Sequence, residues 1–208
     1  MKKLSETYRE RPRRGTASRQ KAMNTPKDST GGCYPPPPCS ASLPPVLDAC
    51  CGGRMMWFDP KDPRCLFVDK RCESFSVDKR SDELFHVNPD MVADFTSLPF
   101  PDATFALVVF DPPHIIRKEA RGWITRKYGV LNGEWREMLR KGFAECFRVL
   151  RNDGTLIFKW SDSNVLVSQI LPLTPHKPLF GHKSGKAMNT HWIAFLKPND
   201  EVEQHCSD

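Results

Sequence analysis

The chain has 208 residues, 39% of them apolar, and its 31 Lys and Arg outnumber 25 Asp and Glu for a formal charge of +6. That length suits one domain with a tail, large enough to bury a core without staples, and the positive excess favours a polyanionic partner. No run of roughly 18 apolar residues is present to cross a bilayer and the amino terminus lacks the apolar stretch of a secretory signal, so a cytoplasmic location without membrane contact is expected.

Residues 1–44 carry Lys2, Lys3, Arg9, Arg11, Arg13, Arg14, Arg19, Lys21 and Lys27, then the run Pro35-Pro36-Pro37-Pro38, with almost no apolar periodicity. Such a composition cannot offset ordering entropy by burial, so a disordered basic and Pro-rich tail is expected. It suits either electrostatic contact with a nucleic-acid backbone or a solubilising leader. The eight cysteines contain no C-x-x-C pair, so no metal site is expected, and Cys65 and Cys146 fit buried positions as small hydrophobes.

The first strand is predicted at residues 46–49, and Gly52 and Gly53 behind it let the chain turn tightly and approach a ligand. Residues 54–64 contain Pro60 and Pro63, which leaves room only for a stunted helix at 54–58. The apolar run Cys65-Leu66-Phe67-Val68 ends in Asp69, and Met91-Val92-Ala93 ends in Asp94. A fully buried fourth strand, Phe105-Ala106-Leu107-Val108-Val109-Phe110, ends in Asp111-Pro112-Pro113-His114. Two prolines cannot extend a central strand, so the tetrad forms a rigid rim at the carboxyl end, where open α/β sheets bind their ligands. Asp111 and the Pro112 carbonyl could accept hydrogen bonds from one –NH₂ group while the His114 ring stacks on a base. An ordinary Asp-Pro turn is the plain alternative.

Residues 115–133 interleave Arg117, Lys118, Arg121, Arg126 and Lys127 with Trp123 and Tyr128. Cations beside flat rings suit phosphates and unstacked bases, although Trp123 packing back on the core explains it equally well. The apolar residues of 134–150 recur at intervals of three and four, which predicts an amphipathic helix, stopped by Asn152-Asp153-Gly154. A buried strand at 155–160 follows, then a helix at 163–171 capped by Asp162. The runs 177–180 and 190–196 read as a terminal hairpin whose loop, with His182, Lys183 and Lys186, would wall the site from the opposite side.

Three short strands ending in carboxylates and a fourth ending in the tetrad resemble the class I S-adenosylmethionine-dependent methyltransferases, in the right order from about residue 45 to 197. The resemblance implies a Rossmann-like, doubly wound α/β sheet of order 3-2-1-4-5-7-6 with strand 7 antiparallel, in a domain at 45–197 followed by a frayed tail at 198–208. It also implies S-adenosyl-L-methionine as cofactor, with Asp48, Ala49, Cys50 and Gly52 at its methionine part, Asp69 at the ribose, and Asp94 and Phe95 near the adenine. Asp/Asn-Pro-Pro-aromatic marks members that methylate amino groups of nucleobases, above all adenine N6. Asp111, Pro112, Pro113 and His114 are accordingly the expected catalytic residues, and Lys118, Arg121, Trp123, Tyr128 and Lys186 the expected contacts to a DNA or RNA substrate.

Two residues depart from the family pattern. Cys50 stands where a glycine is usual, and His114 replaces Tyr, Phe or Trp. A protein side chain or small molecule as acceptor therefore remains an alternative, as does an inactive nucleic-acid-binding subunit. With no second domain to read a long sequence, either loose sequence preference or a protein partner for target recognition is expected.

Overall fold

The computed structural model describes residues 42–76, 83–119 and 122–199, so the basic tail up to 41, Arg121 and the end from 200 lie outside the described residues. Seven strands form the main sheet: β1 (Val46–Asp48), β2 (Cys65–Asp69), β5 (Met91–Val92), β6 (Phe105–Phe110), β7 (Leu150–Ser161), β8 (Phe180–Ser184) and β9 (Thr190–Leu196). Their order is β5-β2-β1-β6-β7-β9-β8. Numbered without the small hairpin β3 (Glu73–Ser76) and β4 (Leu84–Val87), this is 3-2-1-4-5-7-6. Strands β1, β2, β5, β6 and β7 pair in parallel, and β9 runs antiparallel to both β7 and β8. The chain thus has the Rossmann-like α/β architecture of the class I methyltransferase type.

Parallel central strands must be apolar on both faces. Every residue of β2 is buried, and alternate residues serve different cores. Leu66 and Val68 join the main cluster with Leu47, Val108, Phe110 and Phe158, whereas Cys65 and Phe67 join a small one with Cys51, Val46 and Trp57. The main cluster packs against α2 (Trp135–Val149), whose buried Trp135, Leu139, Phe143, Cys146 and Phe147 form the predicted apolar face. Gly142 lets this helix settle on the sheet: a Cβ there would lie 2.7 Å from Phe110 Cζ and 2.8 Å from Phe95 Cδ2.

The small cluster is covered differently. Instead of the stunted helix expected at 54–58, residues 51–64 form successive turns, with Arg54 N bonded to Cys51 O and Trp57 N to Arg54 O. Side chains pin them in place. Arg54 donates to the carbonyls of Pro60 and Asn88 and to Asp90, each at 2.7 Å, and stacks over Phe67 at 4.0 Å. Trp57 meets the same Phe67 ring edge-on at 5.0 Å.

Three other elements differ from the sequence reading. The helix α2 ends at Val149 and the extended Leu150 starts β7 at once, so Asn152-Asp153-Gly154 does not stop the helix. These residues lie in a bulge, with Asp153 at φ 59°, between the pairs Phe105–Leu150 and Leu107–Thr155. The expected helix at 163–171 shrinks to α3 (Val167–Ile170) and a 3-10 turn, Leu171–Leu173, although Asp162 Oδ1 does accept from Val167 N at 2.7 Å. The sixth strand starts at Phe180, after Pro178, since proline has no N–H for the ladder. Among the described residues, no helix is long and apolar enough to cross a membrane.

Candidate active site

The carboxyl ends of β1, β2 and β6 meet at one edge of the sheet. In register, Asp48 lies beside Phe67 of β2 and Val109 of β6. A cleft of 400 Å³ opens over this edge, within the range of small-molecule sites. Cys50, Gly52 and Asp69 line one side, Phe95 another, and Asp111, Pro112, Pro113, His114 and Lys159 the floor towards β7. The outer wall is α1 (Trp123–Tyr128) and the residues after it, where the sequence reading expected only a loop.

Asp48 is fully buried under the cleft rather than in its lining. Its Oδ1 accepts from Cys50 N at 3.3 Å and its Oδ2 from Trp57 Nε1 at 2.7 Å. Burial pushes its carboxyl up to about 7, against the opposing pull of those two hydrogen bonds, and the nearby Asp111 and Asp69 charges raise it further. Ala49 is buried beside it. Burial and the same three carboxylates hold the Cys50 thiol far above its ordinary value, so it stays neutral.

Asp69 closes the turn above. Its Oδ2 accepts from Gly52 N at 2.9 Å, while Oδ1 accepts from Arg71 N at 2.9 Å and Arg71 Nε at 3.2 Å. Gly52 has φ +51°, and a Cβ there would meet only Arg71, at 4.0 Å, so open space lies beside its backbone. Arg71 reaches on to the Arg126 carbonyl at 2.6 Å, tying the β2 rim to α1. Asp94 does not line the cleft. Its Oδ1 accepts from Thr96 N and Oγ1, both at 2.9 Å, and this turn sets Phe95 against Phe110 at 5.3 Å.

The tetrad has a partner that the sequence reading missed. Lys159 Nζ lies 2.5 Å from Asp111 Oδ2, at the open end of β7. The pairing of Phe110 with Phe158 puts Asp111 and Lys159 one step further along adjacent strands. That register is the signal that could have found it. His114 sits between Tyr128, 6.1 Å away, and Trp160, which it meets edge-on at 6.4 Å. Burial lowers its basicity, Asp111 raises it and Lys159 lowers it, with a net fall below the ordinary imidazole value.

Of the expected substrate contacts among the described residues, only Tyr128 lines the cleft; Arg121 lies outside the described residues. Trp123 is half exposed outside it, with Lys127 Nζ over its ring at 5.9 Å and over Tyr128 at 5.5 Å. Lys118 and Lys186 are exposed and stand apart from the lining. Lys70, Arg71, Arg126 and Lys127 supply the cleft's basic rim instead.

No family model and no curated protein matches the chain. Among solved structures it is similar to an S-adenosylmethionine-dependent methyltransferase from Methanosarcina mazei, at 11% identity over 74% of this chain and 92% of that one, TM-score 0.48. It is also similar to a TehB-like S-adenosylmethionine-dependent methyltransferase from Corynebacterium glutamicum, at 12% identity over 76% and 82%, TM-score 0.45. A third is 1,6-didemethyltoxoflavin-N1-methyltransferase from Burkholderia thailandensis, solved with 1,6-didemethyltoxoflavin and S-adenosylhomocysteine, at 12% identity over 74% and 71%, TM-score 0.44. The class I methyltransferase fold of this chain rests on the order and direction of its own seven strands.

Proposed function

We propose that the protein transfers a methyl group from S-adenosyl-L-methionine to an exocyclic amine of a nucleobase, with adenine N6 in DNA or RNA as the leading target. The observation that carries this reading is the shared cleft, in which the Gly52–Asp69 corner and the Asp111–His114 rim face one space.

The residues fit such a cofactor. The open space beside the Gly52 backbone suits its methionine part, Asp69 is a buried carboxylate able to exchange Arg71 for ribose hydroxyls, and Phe95 gives an apolar wall for the adenine. The bound cofactor supplies an electrophilic methyl on a sulfonium. The chain's own task is to align the acceptor nitrogen and to surround the site with preorganised acceptors. Asp111, anchored by Lys159, orients the amine together with the Pro112 carbonyl. Pro113 stiffens the turn, where its ring meets the Gly129 backbone: a Cβ at Gly129 would lie 3.0 Å from Pro113 Cγ. The rings of His114 and Tyr128 offer surfaces for the base, and the basic rim meets phosphates.

The test is transfer of labelled methyl from S-adenosylmethionine to mixed DNA, RNA and protein, followed by mass spectrometry of the nucleosides. N6-methyladenine is the expected product, lost in Asp111→Ala while S-adenosylhomocysteine binding persists. Label in protein or small molecules alone would move the acceptor class. Cofactor binding with no transfer to any pool would leave a binding subunit.

A further inference from the structure

We propose that His114 is the proton acceptor of the transfer, taking the proton that the amine nitrogen must lose, while Asp111 serves only to orient the amine. This inference rests on the amine-methylation reading above.

Two groups near the tetrad could receive that proton, and the geometry separates them. Asp111 Oδ2 is held by the Lys159 ammonium at 2.5 Å. A proton placed on that carboxylate would break the ion pair and leave Lys159 charged beside a neutral acid. His114 has no such commitment. Among the described residues nothing hydrogen-bonds either of its ring nitrogens, and no buried side-chain nitrogen or oxygen is left without a partner, so both ring nitrogens keep access to the cleft or to solvent. Tyr128 and Trp160 border the ring on two sides and restrict its rotation.

Among the described residues, Asp111 on its own rim and Lys159 from β7 are the charges that act on the imidazole, while Arg126, Lys127 and Tyr128 of α1 and Cys50, Asp69, Lys70, Arg71 and Glu73 share the cleft with it. Asp111 favours the protonated ring, whereas burial and Lys159 oppose it, so the ring is neutral near pH 7 and has a lone pair to give. Phe, Tyr or Trp at this position can stack but cannot accept a proton on the ring. Histidine does both.

The amine nitrogen gives its lone pair to the methyl carbon, the carbon–sulfur pair remains on sulfur, and sulfur loses its positive charge. As the carbon–nitrogen bond forms, the nitrogen passes one of its protons to the imidazole lone pair, so that the methylated amine is neutral and the imidazole becomes imidazolium. The imidazolium then releases that proton to water as product leaves.

Single-turnover methyl transfer to adenosine and to a short adenine-bearing single strand, measured from pH 5 to 8, tests the inference. The wild-type rate should rise as the imidazole loses its proton and then level off. His114→Phe keeps a flat ring and should lose that rise and at least tenfold in rate, with KM and S-adenosylhomocysteine affinity within threefold of wild type. A wild-type rate independent of pH would overturn the inference, and so would a fully active His114→Phe, or one in which KM alone rises. The wild-type profile answers even if the variant fails to fold. Wild-type protein that transfers methyl to neither adenine substrate would instead strike the adenine reading beneath the inference.

Discussion

Asp111, the residue that follows β6, and Lys159 of the adjacent parallel strand β7 join their side chains at 2.5 Å. Both are mostly shielded, at 26% and 18% side-chain exposure, so solvent screens this pair less than one on the surface. Lys159→Met should free the carboxylate to rotate, and misplacement of an orienting group can cost on the order of 100-fold in rate. The expected outcome is a 10- to 100-fold slower transfer with S-adenosylhomocysteine affinity unchanged, read by single-turnover kinetics and calorimetry. Unchanged kinetics would remove the pair from the mechanism.

Asp48 should make folding stability depend on pH. Its carboxyl is raised to about 7 in the fold from an ordinary 3.8, so the folded chain holds a proton that the unfolded chain has released between those values. Stability contributed by the neutral form is fully present below about pH 4, falls as pH rises through 7 and then stays flat. The span corresponds to roughly 4 kcal/mol at most. Urea melts of wild type and Asp48→Asn across pH 4 to 8 check this, and the variant should lack that part of the slope.

Trp57→Phe keeps a ring against Phe67 but deletes the Nε1–H that Asp48 Oδ2 accepts at 2.7 Å. A buried acceptor left without its donor costs about 1–3 kcal/mol. The same loss raises the Asp48 carboxyl further, because that hydrogen bond favours the ionised form. Thermal melts should show a lower midpoint, and the pH range over which stability falls as Asp48 loses its proton should extend above 7.

Gly142→Ala sets helix preference against packing. Alanine gains about 1 kcal/mol inside a helix, yet its methyl would enter the space of Phe110 and Phe95, and overpacking of that kind costs about 1–3 kcal/mol. Since Phe95 lines the cleft, the variant should lose both stability and S-adenosylhomocysteine affinity, the latter measured by calorimetry. Lost stability with full affinity would show that the helix yields and the ring does not.

The strands and the tetrad were legible because a parallel core strand is an apolar run in sequence, and its end is marked by the first acid or proline. Cys65–Asp69 and Phe105–Phe110 appear as the sequence predicts, and Thr190–Leu196 matches its reading residue for residue. The hairpin β3–β4 was not legible. Glu73–Ser76 buries only Phe75, and Leu84–Val87 buries only Val87, so neither segment has an apolar run. The helix α1 was hidden in the same way, since Trp123–Tyr128 buries only Thr125. Lys159 was missed because a polar residue inside a strand reads as an outward-facing one until the neighbouring register is known. Asp48, Asp69 and Asp94 were found as chain positions, but their bonds to Trp57, Arg71 and Thr96 come from tertiary contacts and local turns that residue type alone does not specify.

The sheet is insulated unevenly. On one side a fifteen-residue helix lies over a broad aromatic core, and on the other a string of turns hangs from Arg54 and Trp57. Warming should therefore loosen the thin side first, in a local opening well below global melting. The segment so released includes the Gly52 corner of the cleft, which makes ligand capture the first property to fade with temperature while the helix-covered half still holds its shape.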